Sequence, residues 1–169
     1  MKVTLYNAIS LDGFIATPEG NSDWVSEFDA PHFQEEIKKS KCVVIGSKTF
    51  KQFEGEIFPI KEVLNIVMTK SSTIESNYEN VIITNSTPQA VIKLAEEKGF
   101  SSILLVGGGH VNGSWLSQGL IDEIIVDIHP LVLGKGIKLF ESEAVFQNYE
   151  KVSLEELEQG LVLIKYIKK

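Results

Sequence analysis

Residues Ile103–Leu116 constrain the fold of this chain more than any other stretch. The apolar run Ile103–Val106 enters Gly107, Gly108 and Gly109, and an amphipathic segment begins at once. An apolar run of that length, bounded by glycine, reads as a buried strand. Glycines between a strand and a helix let a ligand reach the backbone without meeting a Cβ. They also leave the free N–H groups of the helix start facing that ligand, which suits an anion. A phosphate-bearing cofactor lying across the carboxyl end of a sheet is the functional reading. A tight strand-to-helix turn that binds nothing is the alternative.

The rest of the chain repeats this alternation. Strand patterns cover Val3–Ile9, Cys42–Ile45, Val63–Met68, Asn80–Thr84, Ile103–Val106 and Ile121–His129. Helical patterns run from about Pro31 to Ser40, over Lys48–Phe53, from a Thr87-Pro88 cap to Gly99, and from the glycines to about Gln118. Asp29 is a candidate N-cap for the first of these. Ser10–Trp24 is rich in turn residues, including Asp12 and Gly13. Tyr149–Glu156 and Leu161–Ile167, separated by Glu158–Gly160, read as an antiparallel hairpin. Strands alternating with helices imply an α/β fold with a mixed, mostly parallel sheet and helices on both faces. One domain over residues 1–169 is expected.

Composition narrows the partners. The net charge of −7 argues against nucleic acid, whose phosphates need a basic face. No run approaches the length of a membrane helix, so no membrane partner is expected. The N-terminus lacks the apolar core of a secretory signal, and the lone Cys42 suits a reducing, cytoplasmic compartment. The three histidines are scattered, so no metal site is expected. All 16 basic residues are lysine. Without arginine the chain cannot form a bidentate clamp, and an anion must be held by lysines, hydroxyls and backbone N–H groups.

Ligands of open α/β sheets bind outside the carboxyl ends of the strands. Three such ends carry phosphate-suited residues: Gly46, Ser47, Lys48 and Thr49; Met68, Thr69 and Lys70; and Gly107, Gly108, Gly109, His110, Val111 and Asn112. In this order they resemble the dihydrofolate reductase fold. A second resemblance, to the reductase domain of bacterial riboflavin biosynthesis proteins, rests on Ser10–Ala16, Ser22–Ser26, Asn112–Leu116, and Gly119–Ile124 leading to Pro130–Gly136.

These resemblances imply a stand-alone NADPH-dependent reductase of a pyrimidine- or pterin-like heterocycle, of the riboflavin-pathway type. Gly46–Thr49 and the three glycines would hold the diphosphate. Thr69 and Lys70 favour a 2′-phosphate, since no acidic residue follows that strand until Glu75. Ala8 and Ile15 match backbone positions flanking the nicotinamide. Asp29, spaced between Trp24 and Phe33 like the dihydrofolate reductase carboxylate, is the candidate catalytic group. Trp24, Phe33 and Phe53 are candidate walls of an aromatic substrate slot. Asp127, mid-strand among apolar residues, is a candidate substrate contact. Asp12 reads as a turn former, and Asp122 and Glu123 as solvated charges. A dihydrofolate reductase centred on Asp29, and a non-catalytic NADP-binding or dimer-forming protein, are the alternatives. The strand Ile121–His129 and the terminal hairpin offer an edge for a homodimer.

Overall fold

The computed structural model describes residues 1–71, 73–141 and 146–169. Its central strand is β1 (Lys2–Ser10), followed by the short β2 (Phe14–Ala16). Helix α1 (Ala30–Ser40) leads into β3 (Cys42–Gly46), α2 (Ser47–Gln52), β4 (Leu64–Met68) and β5 (Val81–Thr84). Next come α3 (Pro88–Glu97), β6 (Ser102–Leu105), α4 (Gly109–Leu116) and β7 (Glu123–His129). The chain closes with β8 (Ile137–Lys138), β9 (Tyr149–Glu156) and β10 (Val162–Lys168). Eight strands form one sheet in the order β5-β4-β3-β6-β1-β7-β10-β9. Pairing is parallel from β5 through β7 and antiparallel at β7-β10 and β10-β9.

Side chains alternate across the sheet with the strand period of two. Val3, Leu5, Val44, Ile66 and Leu105 face one side, where Val91 and Ala95 of α3 and Trp115 of α4 cover them. Tyr6, Val43, Ile45, Val67 and Leu104 face the other, against Phe33 and Ile37 of α1 and Phe50 of α2. All of β3 is buried, as a strand covered on both faces must be. Burial pushes the Cys42 thiol up to about 12, so it packs as a small hydrophobe.

The ends of the helices follow local chemistry. Thr87 accepts a hydrogen bond from the Ala90 N–H at 3.3 Å, with Pro88 in the first turn of α3. Helix α1 ends where Lys41 turns left-handed at φ 53°. No helix among the described residues is long and apolar enough to cross a membrane.

Several expectations change. The two-stranded sheet β2-β8 was not anticipated, because two- and three-residue strands carry no readable period. Strand β7 lies inside the sheet, so of β7 and the terminal hairpin only β9 is at an edge, with β5 at the other. Glu123 is buried rather than solvated. It takes Lys2 Nζ at 3.0 Å, Lys165 Nζ at 2.9 Å and the Thr4 hydroxyl at 3.3 Å, tying β1, β7 and β10 together. Burial works against its charge, but the two lysines outweigh it and hold the carboxyl below its ordinary range. Asp122 is exposed, and its carboxylate accepts from the Val3 N–H at 2.8 Å.

Candidate functional site

The sheet brings the three phosphate-suited strand ends side by side, because β4, β3 and β6 are neighbours. The Gly46 N–H donates to the Gly107 carbonyl at 2.7 Å, joining two of the three turns directly. Gly107 has φ +100°, open to glycine and costly for other residues, and the Gly107–Gly108 peptide is cis. A Cβ at Gly108 would stand 3.2 Å from the Thr49 hydroxyl, and one at Gly109 would run into the Lys138 carbonyl oxygen. Glycine is therefore required here for close packing. Helices α2 and α4 both start without a side-chain cap. Their first N–H groups are left for an anion at adjacent strand ends.

The neighbouring residues fall into two kinds. Lys48 and Lys70 are exposed, and Ser47, Thr49 and Thr69 are half-buried around the turns. His110 is exposed, with Nε2 3.2 Å from Glu141. Asn112 is instead buried inside the scaffold. Its Nδ2 donates to Asn7 Oδ1 at 2.9 Å and to the Leu139 carbonyl at 3.0 Å, fixing the turn against β1. Val111 packs near Gly46, and Met68 Sδ accepts from Trp115 Nε1 at 3.3 Å. Ala8 pairs with Asp127 two residues before the end of β1, and Ile15 lies in β2. Uncapped helix starts, glycines at close contacts and flanking lysines fit the phosphates of a dinucleotide such as NADPH.

A second loop system adjoins. The Asp12 carboxylate accepts from the Ser10 hydroxyl at 2.6 Å, the Gly134 N–H at 2.7 Å and the Leu133 N–H at 3.2 Å. Those bonds, led by Ser10, hold it below its ordinary range. Asp12 thus does more than form a turn, because it fastens the 131–134 segment to the end of β1.

The α1 side of β1 and β7 carries the acids. Asp29 is buried, but its side chain does not cap α1. The preceding turn is capped by Ser26, and the Asp29 carboxylate accepts from the Tyr6 hydroxyl. Burial raises the Asp29 carboxyl, while Tyr6 and then the histidines oppose the shift. Burial, then Asp29, keeps the Tyr6 phenol protonated as a donor. Asp127 is fully buried opposite Ala8. Burial and the Asp29 charge push its carboxyl up to about 7. Two residues on, His129 lies on the same face and is 2 % exposed. Its Nε2 accepts from the Ser26 N–H at 2.9 Å, so the neutral ring carries its proton on Nδ1. Burial lowers the His129 pKa and favours that neutral form. Nδ1 lies 3.3 Å from Asp127 Oδ2, without hydrogen-bond alignment. Trp24 meets the His129 ring edge-on, with centroids 5.2 Å apart.

The three aromatic residues expected to wall one slot are not arranged alike. Trp24 meets His129, Phe33 packs on Tyr6 at 5.3 Å, and Phe53 joins the core beside Phe50. A hollow of about 210 Å³ opens between α1 and strands β7, β10 and β9, walled by Tyr6, His32, Ile125, Leu163 and several charged residues. None of the three aromatics lines it. Tyr6 and His129 escaped the sequence reading. The period of two was the available signal, since it puts Tyr6 in line with Ala8 and His129 in line with Asp127.

Comparisons agree with this architecture. The uncharacterized protein YwjB of Bacillus subtilis is 31% identical over 144 residues, covering 82% of each chain. RibD of Acinetobacter baumannii superposes with a TM-score of 0.83 at 17% identity, over 99% of this chain and 58% of that one. A dihydrofolate reductase from Enterococcus faecalis, complexed with NADP(H), superposes with a TM-score of 0.77 at 18% identity, over 99% and 96%. The chain spans about half the length of the curated RibD proteins it matches, 46% for that of Bacillus amyloliquefaciens. The family model of the RibD C-terminal domain matches residues 1–163, and with the fold above this chain belongs to the RibD C-terminal domain family.

Proposed function

We propose that this protein is an NADPH-dependent reductase of a pyrimidine- or pterin-like heterocycle, of the riboflavin-pathway type that acts on 5-amino-6-(5-phosphoribosylamino)uracil. The observation that carries this reading is the placement of the Gly46, Met68 and Gly107 strand ends on the neighbouring strands β3, β4 and β6, with the buried Asp127 on β7 across β1. The NADP(H) bound to the Enterococcus faecalis neighbour supports the cofactor. When bound, the cofactor supplies the hydride. The protein's own task is to hold the diphosphate at the two uncapped helix starts and the 2′-phosphate at Thr69 and Lys70. Asp29, hydrogen-bonded to Tyr6, is the candidate proton-transfer group, with Trp24 and Asp127 as the candidate substrate contacts. Titrating NADPH and NADH against tryptophan fluorescence tests the proposal. NADPH should bind at least about tenfold tighter than NADH, a gap of about 1.4 kcal/mol. Absence of binding by either at millimolar concentration overturns it.

A dihydrofolate reductase reading gains from one observation: Asp29 is buried and not spent on capping. Asp29→Asn should then abolish dihydrofolate turnover, and unchanged turnover rejects that reading. A homodimer through the β9 edge is also proposed, since Val152 and Leu154 stand exposed there. Sedimentation as monomer alone would refute it.

A further inference from the structure

Tyr6 belongs to two places at once. Its hydroxyl donates to the Asp29 carboxylate, and it also forms part of the wall of the hollow between α1 and strands β7, β10 and β9. That hollow lies on the far side of β1 from β3, β4 and β6, the strands that carry the phosphate-suited turns. Its volume is about 210 Å³, room for several waters, since one needs only about 10–15 Å³. The wall supplies the polar partners such waters require: His32 and Glu36 from α1, Ser153 and Glu155 from β9, and Lys165 from β10. Asp29 is buried and is not part of that wall. Tyr6, itself only 3 % exposed, is thus the contact between a buried acid and a polar opening.

We infer that Tyr6 is a proton-relay residue, which connects Asp29 to water in this hollow while ligands close the front of the site. The relay rests on the reductase reading above, in which Asp29 delivers the proton that accompanies each hydride. Reducing a double bond takes one hydride and one proton. Water is excluded from the front of such a site while its ligands are bound, so the spent Asp29 carboxylate is reprotonated from behind. The Tyr6 O–H bond breaks as the Asp29 O–H bond forms, and a water in the hollow returns a proton to the Tyr6 oxygen. The phenol ends neutral, and the net change is one proton moved from solvent to Asp29. Hydrogen-bonded chains of tyrosine, carboxylate and water support transfer of this kind. His32, half-buried on the same wall, can pass protons between solvent and the hollow. Tyr6 acts through Asp29 and is a positioning residue.

Two measurements on the full chain test the relay. The first is NADPH oxidation with 5-amino-6-(5-phosphoribosylamino)uracil as acceptor, in light and heavy water. Tyr6→Phe should lower kcat at least about tenfold and raise the solvent isotope effect, with KM for NADPH unchanged. Ser153→Trp fills the hollow from an exposed position three strands away from β1, and should lower kcat several-fold in the same way. The second needs no turnover. In the dead-end complex with NADP+ and the same acceptor, infrared spectroscopy follows exchange of the Asp29 carboxylic acid proton for deuterium, its band being the one lost in Asp29→Asn. Both variants should slow that exchange by factors like those on kcat. Unchanged exchange in Tyr6→Phe overturns the relay. So does slowing in Tyr6→Phe without slowing in Ser153→Trp, which makes Tyr6 a structural partner of Asp29 only. Wild-type turnover with unaffected variants removes the relay and leaves the reductase reading standing. A wild-type chain that neither binds NADPH nor reduces the acceptor removes both.

Discussion

Gly107–Gly109 follow β6 and Asp127 lies within β7, the strands that flank β1 on its two sides, yet they present opposite chemistry. At the glycines the scaffold has partnered the backbone carbonyls. Gly46 bonds the Gly107 carbonyl, Glu141 bonds the Gly109 carbonyl, and Asn112 ties the turn to β1. What is left free is a set of helix-start N–H groups, with Lys48 and Lys70 exposed nearby. At Asp127 the polar groups are side chains, fully buried and unpartnered among the described residues. A backbone anion site costs little to keep ready, because its dipoles are part of the helices. A buried carboxylate is costly to keep charged, so burial favours its protonated form. The difference teaches that one half of the candidate site is a property of turns and the other a property of burial.

The sharpest way to break this contrast is at Gly109. Gly109→Ala would drive a Cβ into the Lys138 carbonyl oxygen and against the Glu141 side chain. It should destabilise the protein by about 1–3 kcal/mol and weaken NADPH at least about tenfold. Calorimetric melting and fluorescence titration measure the two effects. Wild-type values for both would show that the turn is looser than its geometry implies.

The next effect is smaller and belongs to the acid half. The Asp127 pKa in the folded protein, about 7, stands above its ordinary value of 3.8. The folded state therefore binds this proton more tightly than the unfolded chain. The resulting stability is fully present below the unfolded value and is lost as pH rises toward 7. Between pH 5 and 8 the unfolding free energy should fall by about 2 kcal/mol from this group. Asp127→Asn should flatten that fall, as followed by urea unfolding at each pH. A slope unchanged in the variant would assign it to other groups.

Smallest is the effect at Lys70. Its side chain is exposed, so Lys70→Ala should reduce the preference for NADPH over NADH only several-fold. A loss confined to NADPH sharpens the assignment of the 2′-phosphate to the end of β4. Equal weakening of both nucleotides moves that contact elsewhere.

The legible parts of the molecule were those with local signals. The fully apolar run at β3, the Thr87-Pro88 start of α3 and the glycines before α4 each fell within a residue or two of the observed element. The phosphate-suited turns were equally visible, since glycine, hydroxyl and lysine at a strand end have a meaning independent of what packs on them. Glu123 illustrates the opposite case. Nothing in the Asp122-Glu123 pair says which carboxylate is buried; Lys2 and Lys165, from two other strands, settle it. Asp29 looked like a helix cap because caps are read from the residues that follow. Tyr6, from a strand 23 residues earlier in the chain, makes it a buried acceptor instead.

Periodicity and turn chemistry thus carry the strand-and-helix order, the parallel sheet and the anion-suited strand ends, because those depend on residues close in sequence. The meeting of Trp24, Asp29, Asp127 and His129 needs β1 to seat between β6 and β7 and α1 to cover them. Burial, and with it the charge state of each acid, is set by neighbours remote in the chain, so only the tertiary structure decides it.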